Sequence, residues 1–219
     1  VTEAVGSPLT RANTQFGELN GSTYGFSTPN SAATKILRDI RITSDVSLSV
    51  PWVSGTTMLT YYKAQMYSLY IEGNGKLRLL IYRASPYGAY GVYSTAAVNT
   101  LAADYTRAVL SVARNATTGD TTFYVNGTQL GNVVASGFSN EDLYNSNAIT
   151  YAGISLKGRI YRSQVFNTVD GTTPVVDFTA GSYVSGSTLV SSTSGETWTL
   201  VGNASIFQPP VDASGPFGY

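Results

Sequence analysis

The stretch "ILRDIRITSDVSLSV" (36–50) carries the clearest local pattern of the chain. Ile40, Ile42 and Val46 occupy even positions, whereas the charged Asp45 occupies an odd one. Successive side chains of a β-strand point to opposite faces, so this alternation predicts a strand with one apolar and one polar face. Strands of this kind are typical of antiparallel sheets that have one face in water.

Two later stretches predict β-hairpins. They are "MYSLYIEGNGKLRLLIY" (66–82) and "DTTFYVNGTQLGN" (120–132), with Asn-Gly pairs at 74–75 and 126–127. Asn and Gly adopt positive φ at low cost, and a tight hairpin turn needs such residues. Each stretch is therefore interpreted as two antiparallel strands around a turn.

The segment "ADYTRAVLSVARN" (103–115) admits two interpretations. Together with the preceding "STAAVNTLA" it could form an Ala-rich helix. The strand interpretation is favoured because Leu110 and Val112 alternate with Arg107 and Ser111. Further strands are predicted at residues 158–167, 174–179, 196–201 and 204–207.

Composition agrees with an all-β domain. The chain has 219 residues, of which only 12% are charged, and Tyr, Thr, Ser, Gly and Val are abundant, as they are in strands and turns. Many short strands separated by turn signals predict an antiparallel two-sheet β-sandwich over residues 15–207. Residues 1–14 are expected to form an N-terminal arm, and residues 208–219, with Pro209, Pro210 and Pro216, an extended C-terminal arm.

Several partners and sites are excluded or disfavoured by composition. Thirteen basic residues balance thirteen acidic ones without a basic run, so we expect no nucleic-acid partner. No apolar run approaches the roughly 18 residues of a membrane span, and we expect no membrane partner. The absence of cysteine excludes disulfides and thiolate metal sites.

The predicted strands resemble those of the laminin G-like, concanavalin A-like jelly roll. "DTTFYVNGTQLG" (120–131) following "YTRAVLSVARN" is similar to a strand pair of that family, and "FGELNGSTYGFST" (16–28) to its opening strand. The later "GRIYRSQVFNTVDGTTPVVDFTAG" (158–181) resembles a subset found in bacteriophage virion proteins, especially minor tail proteins. The resemblance implies a jelly-roll fold and a place on the surface of a virion, where we expect several copies to assemble with other virion proteins.

The sequence gives little support for a catalytic activity. The chain has no histidine, which removes the commonest general base and every Ser-His-Asp arrangement. A glycosidase would need two carboxylates across a cleft, and no two acidic residues lie two positions apart on one strand. A catalytic carboxylate pair formed by residues of different strands, such as Glu72 with Asp104 or Glu196, remains an alternative. We therefore predict no enzymatic activity and no catalytic residues.

No cofactor is expected from the sequence, and no metal site is predicted. Calcium is possible because loop carbonyls and single acids can bind it, but no calcium-loop motif occurs. Asp120 and Asp170 are candidate ligands, although each is interpreted more simply as a turn residue. Of the adjacent Glu141 and Asp142, one is expected to cap a turn.

The stretch "ASPYGAYGVYS" (84–94) is the principal candidate binding segment. Tyr87, Tyr90 and Tyr93 recur at every third position among small residues, which is typical of recognition loops. We expect the segment in an end loop or at a sheet edge, and a polyproline-like turn would place all three rings on one side. The alternative is that these rings only cover the edge of a sheet.

Other aromatic residues complete the predicted contacts. Trp52 is expected at the rim of the sandwich, either as a ligand contact or as a plug, and Trp198 in the core. Phe217 and Tyr219 in the C-terminal arm are expected to dock on a neighbour.

The sequence thus favours a non-catalytic adhesion or receptor-binding module of a phage virion. Its expected ligand is host-surface carbohydrate or, alternatively, a host-surface protein. The alternatives are a structural virion subunit, either a capsid decoration or a tail-assembly protein, and a glycan hydrolase.

Overall fold

The structure is a computed structural model with two antiparallel β-sheets. Within the described residues it contains seventeen strands, no α-helix and one 3-10 turn, Ala180–Ser182. The predicted all-β sandwich is therefore confirmed. The described residues are 15–21, 25–49, 57–84, 87–98, 106–135, 137, 139–183, 186, 188–190, 194–202 and 204–207.

The first sheet has nine strands in the described part of the chain. They are β1 (Phe16–Asn20), β3 (Ile40–Leu48), β8 (Arg107–Arg114), β9 (Asp120–Val125), β10 (Thr128–Gln129), β11 (Val134–Ala135), β13 (Lys157–Phe166), β14 (Val176–Thr179) and β17 (Ser205–Phe207). The order across the sheet is β10-β9-β8-β3-β13-β1-β17, while β11 pairs with β9 and β14 with β13.

The second sheet has eight strands in the same described residues. They are β2 (Phe26–Thr28), β4 (Met58–Lys63), β5 (Tyr67–Ile71), β6 (Lys76–Arg83), β7 (Gly88–Ala97), β12 (Thr150–Ala152), β15 (Thr188–Val190) and β16 (Thr197–Leu200). The order is β15-β16-β2-β12-β4-β5-β6-β7, which leaves β7 at one edge.

The hydrophobic core lies between the two sheets. The alternation predicted for residues 36–50 is confirmed in β3, since Ile40, Ile42 and Val46 are fully buried. Trp198 is fully buried too, as predicted, and its Nε1 donates a hydrogen bond to the Asp177 carbonyl at 3.2 Å. Burying apolar area of this extent is what stabilises a sandwich that has no disulfide.

Both predicted hairpins are present, with different turns. At 126–127 both residues have positive φ, 51° for Asn126 and 78° for Gly127, as a two-residue turn between β9 and β10 requires. At the other hairpin Asn74 is not among the positive-φ residues, and only Gly75 has positive φ (76°). There the Gly75 amide donates to the Glu72 carbonyl at 2.8 Å and closes a longer turn.

Two other predictions can be compared with the strands, and a third concerns residues that the structure does not describe. Residues 107–114 form strand β8, so the helical interpretation is wrong there. The stretch 16–28 does not form one opening strand, because β1 and β2 belong to different sheets. The predicted arms at 1–14 and 208–219, and with them Trp52, Phe217 and Tyr219, lie outside the described residues.

Among the described residues, the cations Lys63 and Arg114 are both fully buried. Lys63 of β4 is fully buried, and its Nζ donates to Asn30 Oδ1 (3.0 Å), Thr34 Oγ1 (3.2 Å) and the Ala148 carbonyl (2.9 Å). Burial, with a smaller contribution from Lys35, lowers the pKa of the Lys63 ammonium to about 8. Three neutral oxygens thus hold this cation at the inner face of the second sheet.

Candidate functional site

The segment with the three predicted tyrosines belongs to an edge strand. β7 covers Gly88–Ala97 and pairs only along β6 in the order of the second sheet. The expected position at a sheet edge is confirmed, whereas the polyproline-like turn is wrong. Pairing with β6 along this length overrides the small, flexible residues between the rings.

Strand geometry divides the three tyrosines between two sides. Tyr93 lies opposite Arg78 of β6, on the outer face of the sheet. Tyr90 lies opposite the core residue Ile81, so it points to the inner side, where its hydroxyl lies close to Gly137. The expectation that all three rings share one side is therefore wrong, because residues three apart in a strand face opposite ways.

Seven tyrosines cover the outer face and one end of the second sheet. Several of them come from strands that neighbour each other: β4, β5, β6, β7 and β12. We call this set the tyrosine surface. Its members are Tyr62, Tyr70, Tyr82, Tyr87, Tyr93, Tyr144 and Tyr151.

Ring contacts connect the tyrosine surface at its two ends. Tyr82 and Tyr87 stack with centroids 6.0 Å apart, and Tyr87 meets Tyr144 edge-on at 4.9 Å. At the other end Tyr62 and Tyr151 stack at 6.2 Å. Offset and edge-to-face rings at these distances attract each other, so the aromatic groups hold one another in place.

Arg78 ties the middle of the tyrosine surface together. Its guanidinium carbon lies 4.1 Å from the Tyr70 ring centroid and 5.7 Å from that of Tyr93. Its Nε also forms an ion pair with Glu72 at 2.8 Å. Burial raises the pKa of Tyr70, against a smaller lowering by the charge of Arg78. Tyr93 itself remains 45% exposed, and Tyr87 is 54% exposed, so both rings can meet a ligand.

Hydrogen-bonding groups border the Tyr87 end of the surface. Arg83 donates from Nε and Nη2 to both carboxylate oxygens of Glu141, each at 2.6 Å. The Tyr144 amide donates to the Tyr82 carbonyl at 2.8 Å, which fixes this segment beside β6. Glu141 therefore forms a bidentate pair with an arginine. The neighbouring Asp142 pairs with Arg38 at 3.1 Å.

The outer face of the first sheet has a different composition. Three arginines of this face pair with carboxylates on neighbouring strands: Arg107 with Asp45 at 2.5 Å, Arg162 with Asp177 at 2.9 Å and Arg159 with Glu18 at 3.1 Å. Hydrogen bonds from these guanidinium groups to carboxylates raise the pKa of Arg107 and of Arg162. Three shallow cavities lie on this face, between the paired charges and the loop that contains Asp170.

Asp120 and Asp170, the two candidate calcium ligands, line one of these cavities. Within the described residues no group of three or more acidic side chains could hold a metal ion. A glycosidase general acid lies in an apolar environment that excludes water, whereas Asp170 is exposed. Of the carboxylates named for a catalytic pair, Glu72 is paired with Arg78 and Glu196 contacts Ser194, while Asp104 lies outside the described residues.

Sequence reasoning found part of the tyrosine surface. It expected Tyr87 and Tyr93 in an end loop or at a sheet edge, where Tyr87 lies in the turn before β7 and Tyr93 in β7, and it missed Tyr82, Tyr144 and Tyr151. Tyr62 could have been found, because it alternates with the buried Tyr61. Tyr144 and Tyr151 carry no local signal, since only the tertiary fold brings them beside β4 and β6.

Comparison with known proteins identifies the fold but no family. No protein-family profile matches the chain, and no curated protein has a similar sequence. Among solved structures, a candidate carbohydrate-binding protein from Bacteroides ovatus aligns over 90% of this chain and 60% of its own, with a TM-score of 0.64 and 12% identity. The binding domain of botulinum neurotoxin serotype G aligns over 72% of this chain and 40% of its own, with a TM-score of 0.52 and 14% identity.

The LG4-5 domains of mouse laminin α1 align less closely. They cover 76% of this chain and 44% of their own, with a TM-score of 0.48 and 11% identity. The chain therefore spans about half the length of these structures, and identities this low show the shared β-sandwich alone. In the described residues no helix has the length and apolarity that a membrane span needs.

Proposed function

We propose that this protein is a non-catalytic carbohydrate-binding module and that the tyrosine surface is its ligand site. The observation that carries the proposal is the set of seven tyrosines on one sheet, of which Tyr87 and Tyr93 expose about half of their surface. The β-sandwich shared with a candidate carbohydrate-binding protein from Bacteroides ovatus agrees with this function.

The chemistry of the surface suits a sugar ring. Phenol rings offer flat apolar area to the CH groups of a saccharide, while their hydroxyl groups exchange hydrogen bonds with its hydroxyls. Tyr82, Tyr87 and Tyr144 already contact one another, so little side-chain freedom is lost when a ligand binds. The neighbouring Arg83–Glu141 pair adds donors and acceptors that can orient the sugar.

The biological setting is part of the proposal. The resemblance to phage tail proteins supports a place on the surface of a virion. There the ligand would be host-surface carbohydrate or, alternatively, a host protein. Several copies would assemble beside other virion proteins. The proposed site needs no cofactor, because rings, hydroxyls and one ion pair supply every contact that it uses.

A structural role in the virion is the second candidate. It is favoured by two exposed apolar side chains on edge strands: Val190 of β15 is 56% exposed and Phe207 of β17 is 46% exposed. Edge strands with apolar side chains are suited to contact with another subunit. Deletion of residues 208–219 separates the two candidates, since lost assembly with intact sugar binding would favour the structural role.

A glycan array with single-ring variants tests the proposed site. Tyr87→Ala and Tyr93→Ala are each expected to weaken binding to the best glycan about tenfold, the usual effect of removing an aromatic anchor. Tyr90→Ala is the matched control, because Tyr90 belongs to the same strand but points to its other side. It is expected to change the affinity less than about threefold.

Two results would overturn the proposal. One is an array without any bound glycan at millimolar concentrations. The other is a bound glycan whose affinity is unchanged by Tyr87→Ala and Tyr93→Ala, with folding verified by circular dichroism.

A further inference from the structure

Three cavities on the outer face of the first sheet join into one groove. The first and second, of about 190 and 310 Å³, share Thr43 and Val109 as lining residues. The second and third, the third of about 270 Å³, share Tyr124 and Asp170. The groove therefore runs across β13, β3, β8 and β9, and we call it the cross-strand groove. Three interstrand spacings give it a length of about 14 Å.

The floor of the cross-strand groove combines hydroxyl groups with one aromatic ring. Thr43 Oγ1 and Ser111 Oγ lie 3.1 Å apart at its centre and form a hydrogen bond. Each hydroxyl keeps further acceptor capacity for a ligand. Tyr124 is half-buried between the second and third cavities, and Val109 contributes an apolar patch that is 36% exposed. This mixture of an aromatic ring, an aliphatic side chain and hydroxyls suits a saccharide.

Backbone pairing disfavours an added peptide strand in this groove. β3 pairs with β13 on one side and β8 on the other, while β8 pairs with β3 and β9. Their amide and carbonyl groups are thus used within the sheet. A peptide that binds by strand addition needs an open sheet edge. A ligand in the cross-strand groove must instead be recognised by side chains.

Charge favours a neutral ligand. The cations around the groove already have acceptors: Arg162 pairs with Asp177, Arg107 with Asp45, and Arg41 donates to the carbonyls of Val169 and Gly171. The third cavity adds the carboxylates of Asp120 and Asp170. An anionic polysaccharide would have to compete with these internal pairs and meet the carboxylates, whereas a neutral chain could donate hydroxyl hydrogens to them.

We propose that the cross-strand groove is a second binding site, separate from the tyrosine surface, and that it takes a neutral oligosaccharide. The oligosaccharide lies across the strands. One of its sugar rings packs on Tyr124, and the hydroxyls of Thr43 and Ser111 contact the next sugar ring. Because the two sites lie on the outer faces of different sheets, one molecule can hold two glycan chains at once. Such bivalent binding raises the overall affinity for a glycan-coated surface.

Calorimetry and amide-shift mapping of the full chain test this site. The probes are neutral hexasaccharides of cellulose, xylan, mannan and amylose, with an oligogalacturonate as the anionic comparison and a proline-rich peptide as the protein comparison. At least one neutral probe is expected to shift amide signals in β3, β8 and β9. Tyr124→Ala is expected to lower its affinity about tenfold, and Tyr124→Phe to retain most of it.

Matched variants keep this result separate from the tyrosine surface. Thr43→Val removes a hydroxyl at nearly constant volume and is expected to weaken binding about threefold to tenfold. Tyr90→Ala removes a ring that belongs to neither site and is expected to leave this affinity, followed by the amide shifts of β3, β8 and β9, unchanged. The proposal is overturned if no neutral probe binds at millimolar concentration, if only the anionic probe or the peptide binds, or if Tyr124→Ala has no effect in a folded protein.

Discussion

The two sheets of this sandwich differ in the groups on their outer faces, although each buries a cation. On the first sheet Arg107, Arg162 and Arg159 pair with carboxylates at the outer face, whereas Arg114 is fully buried and donates to the carbonyls of Arg38 and Glu141. The second sheet presents tyrosines outside and holds the ammonium of Lys63 inside, among neutral oxygens. Pairing at the surface costs little desolvation, whereas a buried ammonium without a counter-ion loses its water.

This difference indicates how one scaffold can present two distinct surfaces. Ion pairs and small hydroxyl residues leave room for a groove on the first sheet, because the long side chains lie along the face and bind one another. Rings on the second sheet form two contacting groups, with Arg78 packed over Tyr70 and Tyr93. The fold supplies two flat outer faces, and the side chains of alternate positions decide what each can bind.

The largest expected effect is loss of stability on substitution of Gly158 in the first sheet. Gly158 has a φ of 148°, and a Cβ there would overlap the Ser47 carbonyl oxygen of β3. Gly158→Ala is expected to destabilise the protein by about 3 kcal/mol or more, because backbone strain and overlap add. Thermal unfolding followed by circular dichroism measures the loss.

The matched control is Gly88→Ala in β7 of the second sheet. No atom lies within 4 Å of a Cβ built there, so the melting temperature should be nearly unchanged. Similar melting temperatures for both variants would contradict the close approach of Gly158 to the backbone of β3.

Local sequence predicted the regular elements of the fold well. Alternation in 36–50 and the Asn-Gly pair at 126–127 depend on backbone geometry alone, and both predictions are confirmed. The period of three in 87–93 was misleading, because pairing with β6 determines the backbone of β7. The cross-strand groove could not be predicted, since residues such as Thr43 and Tyr124 meet only after four strands pair.

A smaller effect on stability is expected when a change of pH alters the protonation of the buried Lys63 amine. The pKa of Lys63 is about 8 in the folded protein against 10.5 as its ordinary value, so the unfolded chain binds more protons between these pH values. The free energy of unfolding should therefore rise as the pH increases from about 8, on the order of 1 to 2 kcal/mol. Urea unfolding between about pH 7.5 and 9.5 measures this slope.

Two points make the pH experiment specific. Lys63→Met removes the titrating amine and should flatten the slope, even if the variant is less stable throughout. Measurements stop below pH 10 because burial raises the pKa values of Tyr61 and Tyr67, which removes stability once tyrosines of the unfolded chain ionise. If the stability of Lys63→Met rises with pH by the same amount, other titrating groups cause the slope.

The smallest predicted difference in stability is between alanine substitutions of one arginine from each outer face. Arg78 and Arg107 each lie over a tyrosine ring, at 4.1 and 3.9 Å, and each pairs with a carboxylate. The Arg78 side chain is only 22% exposed, against 44% for Arg107. Arg78→Ala is therefore expected to cost about 1 to 2 kcal/mol and Arg107→Ala less than about 1 kcal/mol.

Salt provides the test that separates the two arginines. Salt screens the more exposed Arg107–Asp45 pair, so the stability loss of Arg107→Ala should shrink in about 1 M NaCl. The loss of Arg78→Ala should persist, because its packing over Tyr70 does not depend on ionic strength. If both losses vanish in salt, Arg78 acts only as a charge, and the tyrosine surface is held together by its ring contacts instead.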